Sequence, residues 1–207
     1  MARAFLVIVL GCAIGCGRTP TPTTNPKPLD DLAYPVGSFS LTERDGRTVT
    51  EKDLHGKVWI ASFVFTRCMG NCPAVTATVR ELQSKIDHPD VRFVTFTVDG
   101  EHDTPGELKK YADRYRADPK RWLFLTGSEK TIHALLMEKF KQSAGDKPKA
   151  GEDPLTALDT HSTRLSVVDK KGVIRGIYEG MRNENHPGAF EDGQKRLQEK
   201  VNALLQE

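Results

Sequence analysis

The sequence predicts an α/β protein: a mixed sheet flanked by helices, with an N-terminal β-hairpin added to it. Three observations carry this expectation. Val58 to Phe65, Val91 to Val98 and Trp122 to Leu125 are short runs rich in β-branched and aromatic residues, as strands covered on both faces are. Each is followed by a segment whose apolar residues recur at helical spacing. Near the C-terminus, Leu165–Val168 and Val173–Tyr178 flank Asp169-Lys170-Lys171-Gly172, which reads as a hairpin.

Taken in order, the elements justify themselves locally. Phe39 and Leu41 alternate with polar neighbours, Asp45-Gly46 turns the chain, and Thr48-Val49 returns as a second strand. Pro73 suits the first turn of a helix that carries Val75, Val79, Leu82 and Ile86 on one face. Thr104 and Pro105 open a second helix, whose face is Leu108, Tyr111, Ala112 and Tyr115. Thr126-Gly127-Ser128 caps a third, carrying Ile132, Leu135, Leu136 and Phe140. Residues 142–158 have no pattern and read as an exposed loop, and a last helix is expected from about Pro187 to Leu205. The order β-β-β-α-β-α-β-α-β-β-α is a thioredoxin-like arrangement.

Composition narrows the function. With 207 residues, 38% of them hydrophobic and 28% charged, the chain suits one globular domain with a tail. A formal net charge of +2, with only short basic clusters, gives no field that would draw nucleic acid. The start of the chain differs from the rest. Arg3 precedes an apolar run, Ala4 to Leu10, that ends in small residues and cysteines and is too short for an ordinary membrane span. This pattern resembles a lipoprotein-type signal over residues 1–16, cleaved before Cys16, the lipidation candidate. Cys12 is the second choice, and a plain secretory signal or an uncleaved anchor is the alternative. Residues 17–33, rich in Pro and Thr, are expected to be a disordered tether, and residues 34–207 the folded domain. The domain is therefore expected outside the cytosol, on the periplasmic side of a bacterial envelope.

Cys68 and Cys72 sit between a buried strand and a helix start. Backbone N–H groups at a helix N-terminus favour thiolate over thiol, and a thiolate is both a nucleophile and a soft-metal ligand. Three readings compete. A structural disulfide over so short a loop would constrain the unfolded chain only weakly. Dithiol–disulfide exchange usually uses Cys-x-x-Cys rather than this wider spacing. Two sulfurs with one further soft or borderline donor suit Cu(I). Met69 could add a thioether, although a methionine in such a turn more often packs.

Three stretches together resemble the Sco/SenC family of thioredoxin-like copper-binding proteins linked to cytochrome c oxidase assembly. They are Phe65-Thr66-x-Cys68-x-x-x-Cys72-Pro73, Thr97-Val98-Asp99-x-Glu101-x-Asp103-Thr104-Pro105, and Asp159-x-His161-Ser162 leading into Val167-Val168-Asp169-x-x-Gly172. The resemblance covers roughly Tyr34 to Leu205. It implies copper, as Cu(I) or Cu(II), held by Cys68, Cys72 and His161, with Asp99 in support. The alternative for Asp99 is a loop acid capping the helix at Thr104. The partner implied is the CuA-bearing oxidase subunit, with other copper chaperones or thiol reductases beside it and the membrane reached through the N-terminal lipid. Met69-Gly70-Asn71 departs from the Pro-Asp that many relatives carry after the first cysteine. The competing function is a thiol–disulfide oxidoreductase in which Cys68 and Cys72 are catalytic. A peroxide-reducing enzyme is a weaker third. His55, His88, His133 and His186 are read as surface or core residues, and His102, in the Asp99 loop, as the one to watch.

Overall fold

The computed structural model describes residues 29–141, 163–184 and 188–207. One eight-stranded sheet organises them. In chain order the elements are β1 (Tyr34–Pro35), β2 (Ser40–Glu43), β3 (Thr48–Thr50), a short 3-10 turn (Glu51–Leu54), β4 (Val58–Val64), α1 (Cys72–Lys85), β5 (Val91–Thr97) and α2 (Pro105–Arg114). There follow β6 (Trp122–Thr126), α3 (Glu129–Ala134), a π-helical turn (Leu135–Lys139), β7 (Arg164–Val168), β8 (Val173–Glu179) and a C-terminal helix, α4 (Ala189–Gln206). The strands lie in the order β1-β8-β7-β4-β5-β6-β2-β3. The pairs β4–β5 and β5–β6 are parallel and the others antiparallel, so the sheet is mixed, as expected.

β4 is buried along its whole length, and strand alternation sorts its aromatic neighbours onto two faces. On one, Phe63 stacks on Phe96 at 5.2 Å, and Phe140 packs edge-on against Phe63 and Trp59. On the other, Trp122 stacks on Phe124, and Tyr111 of α2 meets Phe124. Val75, Val79 and Leu82 bury the predicted face of α1. The N-terminal hairpin β2–β3 joins the sheet beside β6.

Several expectations need correction. Tyr34-Pro35 is itself an edge strand, paired with β8. Two residues show no periodicity, and Pro is tolerated at an edge because it lacks only a ladder donor. The chain also docks before the expected boundary at residue 33. Leu29 bridges to Ile177, Leu32 N–H donates to Arg175 O, and Asp30 and Asp31 pair with Arg196 and Lys200 of α4. The third helix passes into a π-helical turn at Leu135, which still buries Leu135 and Leu136. The last helix begins after Gly188, whose φ of 86° an L side chain rarely adopts. The expected loop at 142–158 lies outside the described residues, and among the described residues no helix is long and apolar enough to cross a membrane.

Candidate functional site

The sheet topology gathers the site at one edge. β4 and β5 run parallel, with Val64 opposite Thr97, so the loops leaving both strands emerge side by side. Open α/β sheets place ligands at these carboxyl ends. The loop after β4 carries Cys68, and α1 begins at Cys72. Asn71 precedes the helix without a side-chain cap, and Pro73 sits in the first turn, as expected. The Cys72 N–H, one of the amides a helix start leaves without a helical acceptor, donates to Cys68 Sγ at 3.4 Å. Cys68 N–H donates to Phe65 O at 3.3 Å. Both sulfurs are thus folded into one turn. Cys68 is 7% exposed and Cys72 0%, and both carry thiols rather than a shared disulfide.

The residues just before Cys68 are held by the neighbouring loop, Asp99 to Asp103. Thr66 N–H and Thr66 Oγ1 donate to the Asp103 carboxylate at 2.9 and 2.5 Å, and Thr97 Oγ1 adds a third short bond. Thr97 Oγ1 also accepts from Asp99 N–H at 3.0 Å, which leaves its own proton for Asp103. Asp103 is fully buried. Burial pushes its carboxyl above the ordinary value, against the pull of the three donors. Arg67 donates to Asp99 Oδ2 at 2.7 Å through Nη2 and 3.3 Å through Nε, and His102 Nδ1 lies 2.8 Å from Asp99 Oδ1. Gly100 lies against the β6–α3 connection, where an added Cβ would stand 2.0 Å from Gly127 O, so this loop is braced on its far side.

Behind Cys72 the contacts are polar too. Thr76 Oγ1 donates to Cys72 O at 2.8 Å, so in its 2.7 Å contact with Tyr111 the phenol is the donor. Burial raises the Tyr111 phenol above its usual range and keeps that proton in place.

The structure therefore brings Cys68 and Cys72 together and attaches Asp99 to the same loop through Arg67. Asp99 does not cap α2; Thr104 does, its Oγ1 accepting from Glu107 N–H. Met69 does not pack. It is 94% exposed at the loop tip, because Cys68 and Cys72 already turn inward on either side. His161, Cys12, Cys16 and His186 lie outside the described residues. Among the described residues no three acids, histidines or cysteines gather closely enough to hold a metal ion. Sequence reasoning passed over Thr66, Asp103 and Tyr111. The first two stand in the quoted motifs, but their pairing spans 37 residues and has no local signature. Two buried sulfurs in one turn can hold a soft metal ion or undergo two-electron oxidation to a disulfide.

A family model described as SCO1/SenC matches residues 29–190. The SCO1 protein homolog of Bacillus subtilis is 35% identical over 166 residues, which are 79% of this chain and 83% of that protein. A solved structure described as a SCO1/SenC family lipoprotein from Bacillus anthracis superposes with a TM-score of 0.68 at 32% identity, covering 86% of this chain and 99% of that one. A second, of BsSco, described as having a disulfide switch and belonging to the Sco family of cytochrome c oxidase assembly proteins, gives 0.66 at 32% over 84% and 96%. ScoI of Arabidopsis thaliana, solved with copper bound, gives 0.60 at 25% over 81% and 98%. The extent of these matches, with a thioredoxin-like sheet that carries both cysteines on the loop after β4, places the chain in the SCO1/SenC family.

Proposed function

We propose that this protein binds copper through Cys68, Cys72 and His161 and helps to assemble the CuA centre of cytochrome c oxidase. The observation that carries the reading is the pair of buried sulfurs in one turn, with the Cys72 amide on Cys68 Sγ. Cu(I) favours soft donors at low coordination number, which two sulfurs with one imidazole ligand satisfy. Register supports His161 as that ligand. Trp59, Ile60 and Ala61 pair with Val168, Val167 and Ser166, so β7 starts beside the end of β4 that leads into the cysteine loop. His161 precedes β7 by three residues in the chain. The copper is cargo: it is held by few ligands and passed on by ligand exchange to the oxidase subunit. A lipid on Cys16, with residues 17–28 as tether, would keep the domain at the membrane of an exported compartment, as the description of the Bacillus anthracis relative as a lipoprotein supports.

The deciding experiment is Cu(I) titration of the full chain with thermal unfolding as readout. A ligand that binds only the native state adds about 2.7 kcal/mol at 100 times its dissociation constant. Copper is expected to raise the Tm of the reduced protein. His161→Ala should remove most of that gain while the Cys68–Cys72 disulfide still forms, and Cys68→Ser or Cys72→Ser should abolish both. The second reading, thiol–disulfide oxidoreductase, is favoured by the thiol pair and by the disulfide switch described for the BsSco relative. It replaces the first if His161→Ala keeps the full copper gain but loses thiol reductase activity. For the anchor, Cys16→Ser should abolish partitioning into detergent; loss with Cys12→Ser alone would move the lipid to Cys12.

A further inference from the structure

We infer that Asp103 is a positioning residue for the thiol pair: it fixes the loop before Cys68 and thereby sets how readily Cys68 and Cys72 join. This goes beyond the copper reading and does not depend on it, because it concerns the reduced and oxidised forms of the two thiols alone. Asp103 is fully buried, and its three donors divide between two elements. Thr66 gives both its N–H and its hydroxyl, two residues before Cys68, and Thr97 gives its hydroxyl from the end of β5. Thr97 lies six residues away, but Thr66 lies 37 away, so the carboxylate does more than close its own loop. It joins the root of the cysteine loop to the centre of the sheet. Asp103 N–H donates to Asp99 O at 2.9 Å, and Asp99 grips Arg67, so a second contact holds the residue between Thr66 and Cys68. Between the cysteines the loop tip faces solvent: Met69 is exposed and the Asn71 side chain makes no cap. The position of Cys68 relative to Cys72 therefore depends on Thr66 as well as on the Cys72 N–H contact to Cys68 Sγ.

A fixed loop keeps one sulfur at high effective concentration beside the other, and a loosened one lowers it. The reaction that reads this is exchange with glutathione disulfide. The two Cys thiols lose their protons and two electrons, one S–S bond forms between Cys68 and Cys72, the glutathione S–S bond breaks, and two glutathione thiols leave with the protons and electrons. Asp103→Ala removes the acceptor of all three bonds and should shift this equilibrium constant at least tenfold towards the dithiol, about 30 mV for a two-electron couple. Thr66→Val, which removes the hydroxyl bond alone, should shift it in the same direction by less, and it keeps the test decisive if Asp103→Ala fails to fold. Asp103→Asn retains acceptor capacity and should recover most of the wild-type value. The measurement is thiol labelling of the full chain equilibrated in glutathione buffers, with Tm measured in parallel. A lowered Tm with an unchanged constant in the folding variants would mean that Asp103 only stabilises the fold, and a shift towards the disulfide would mean that the loop holds the thiols apart. Either overturns the inference.

Discussion

Two loops of this protein are built around a buried aspartate, and they are built differently. In the β7–β8 turn, Asp169 accepts from the N–H groups of Lys171 and Val173, both at 2.9 Å, and from Arg175 at 3.1 Å. Its donors lie within six residues, so the acid folds its own turn, helped by Gly172 at φ +78°. Asp103 instead takes donors from β5 and from Thr66 of the cysteine loop, 37 residues away. The difference separates a turn that only has to reverse the chain from a loop that has to present two sulfurs. Met69-Gly70-Asn71 contributes no cap to its own loop, so the fixing groups come from another strand's end.

The comparison predicts unequal costs. Asp103→Ala leaves two hydroxyls and an amide without acceptors in the interior. Each such group costs about 1–3 kcal/mol, and partial relaxation brings the sum to about 3–5 kcal/mol. Chemical denaturation of the reduced protein should show this as a lowered midpoint with an unchanged slope. Asp169→Ala exposes two amides in a turn near the surface, where water can replace the acceptor. Its cost should be about 1–2 kcal/mol. If Asp169→Ala costs as much as Asp103→Ala, the local and the long-range device are equivalent and the contrast fails.

The pH dependence sharpens the same point through a third acid. Asp118 accepts from Lys120 N–H and from Arg121, but it stays partly in water, and the Lys120 amide bond above all holds its carboxyl below the ordinary value. A lowered native value gives stability that is present above the unfolded value and lost as pH falls through the native one. Asp103 has the opposite sign, because burial raises it. Its contribution is complete below the ordinary aspartate range and is lost as pH rises through the raised value. The stability gap between wild type and Asp118→Asn should therefore close on acidification, whereas the gap for Asp103→Asn should narrow as pH rises. Unfolding free energies measured from below the ordinary aspartate value up to neutral pH decide this, and parallel curves for the two variants would sink it.

These acids also show what could be read in the chain beforehand. Asp169 was legible, since Asp-Lys-Lys-Gly between two apolar runs is a turn by local chemistry. β4, β5 and β6 were legible because burial on both faces leaves an unbroken apolar run. β1 was not, because two residues cannot show a period, and neither was the π-helical turn, since Leu135 and Leu136 are buried in either kind of helix. The thiol pair was visible as spacing at a strand-to-helix turn. The Thr66–Asp103 bonds were invisible as contacts, although both residues stood in the motifs, because only the parallel β4–β5 register brings them together. His161 was legible through family resemblance rather than spacing, since a lone histidine before a hairpin carries no metal signal of its own.

The smallest expected effect lies at the outer grip on the same loop. Arg67 and Asp99 form an ion pair at 2.7 Å, but the arginine side chain is 41% exposed. Water competes for the guanidinium, and exposed pairs are worth about 0–1 kcal/mol. Arg67→Gln should therefore cost less than about 1 kcal/mol, and that cost should fall further in 1 M salt, where charges are screened within about 3 Å. The inner bonds to Asp103 are out of reach of salt, so the cost of Thr66→Val should be the same at low and high ionic strength. Denaturation of both variants at two salt concentrations tests this directly. A salt-sensitive Thr66→Val, or an Arg67→Gln variant that loses as much stability as Asp103→Ala, would place the hold on the cysteine loop at its charged rim rather than at its buried root.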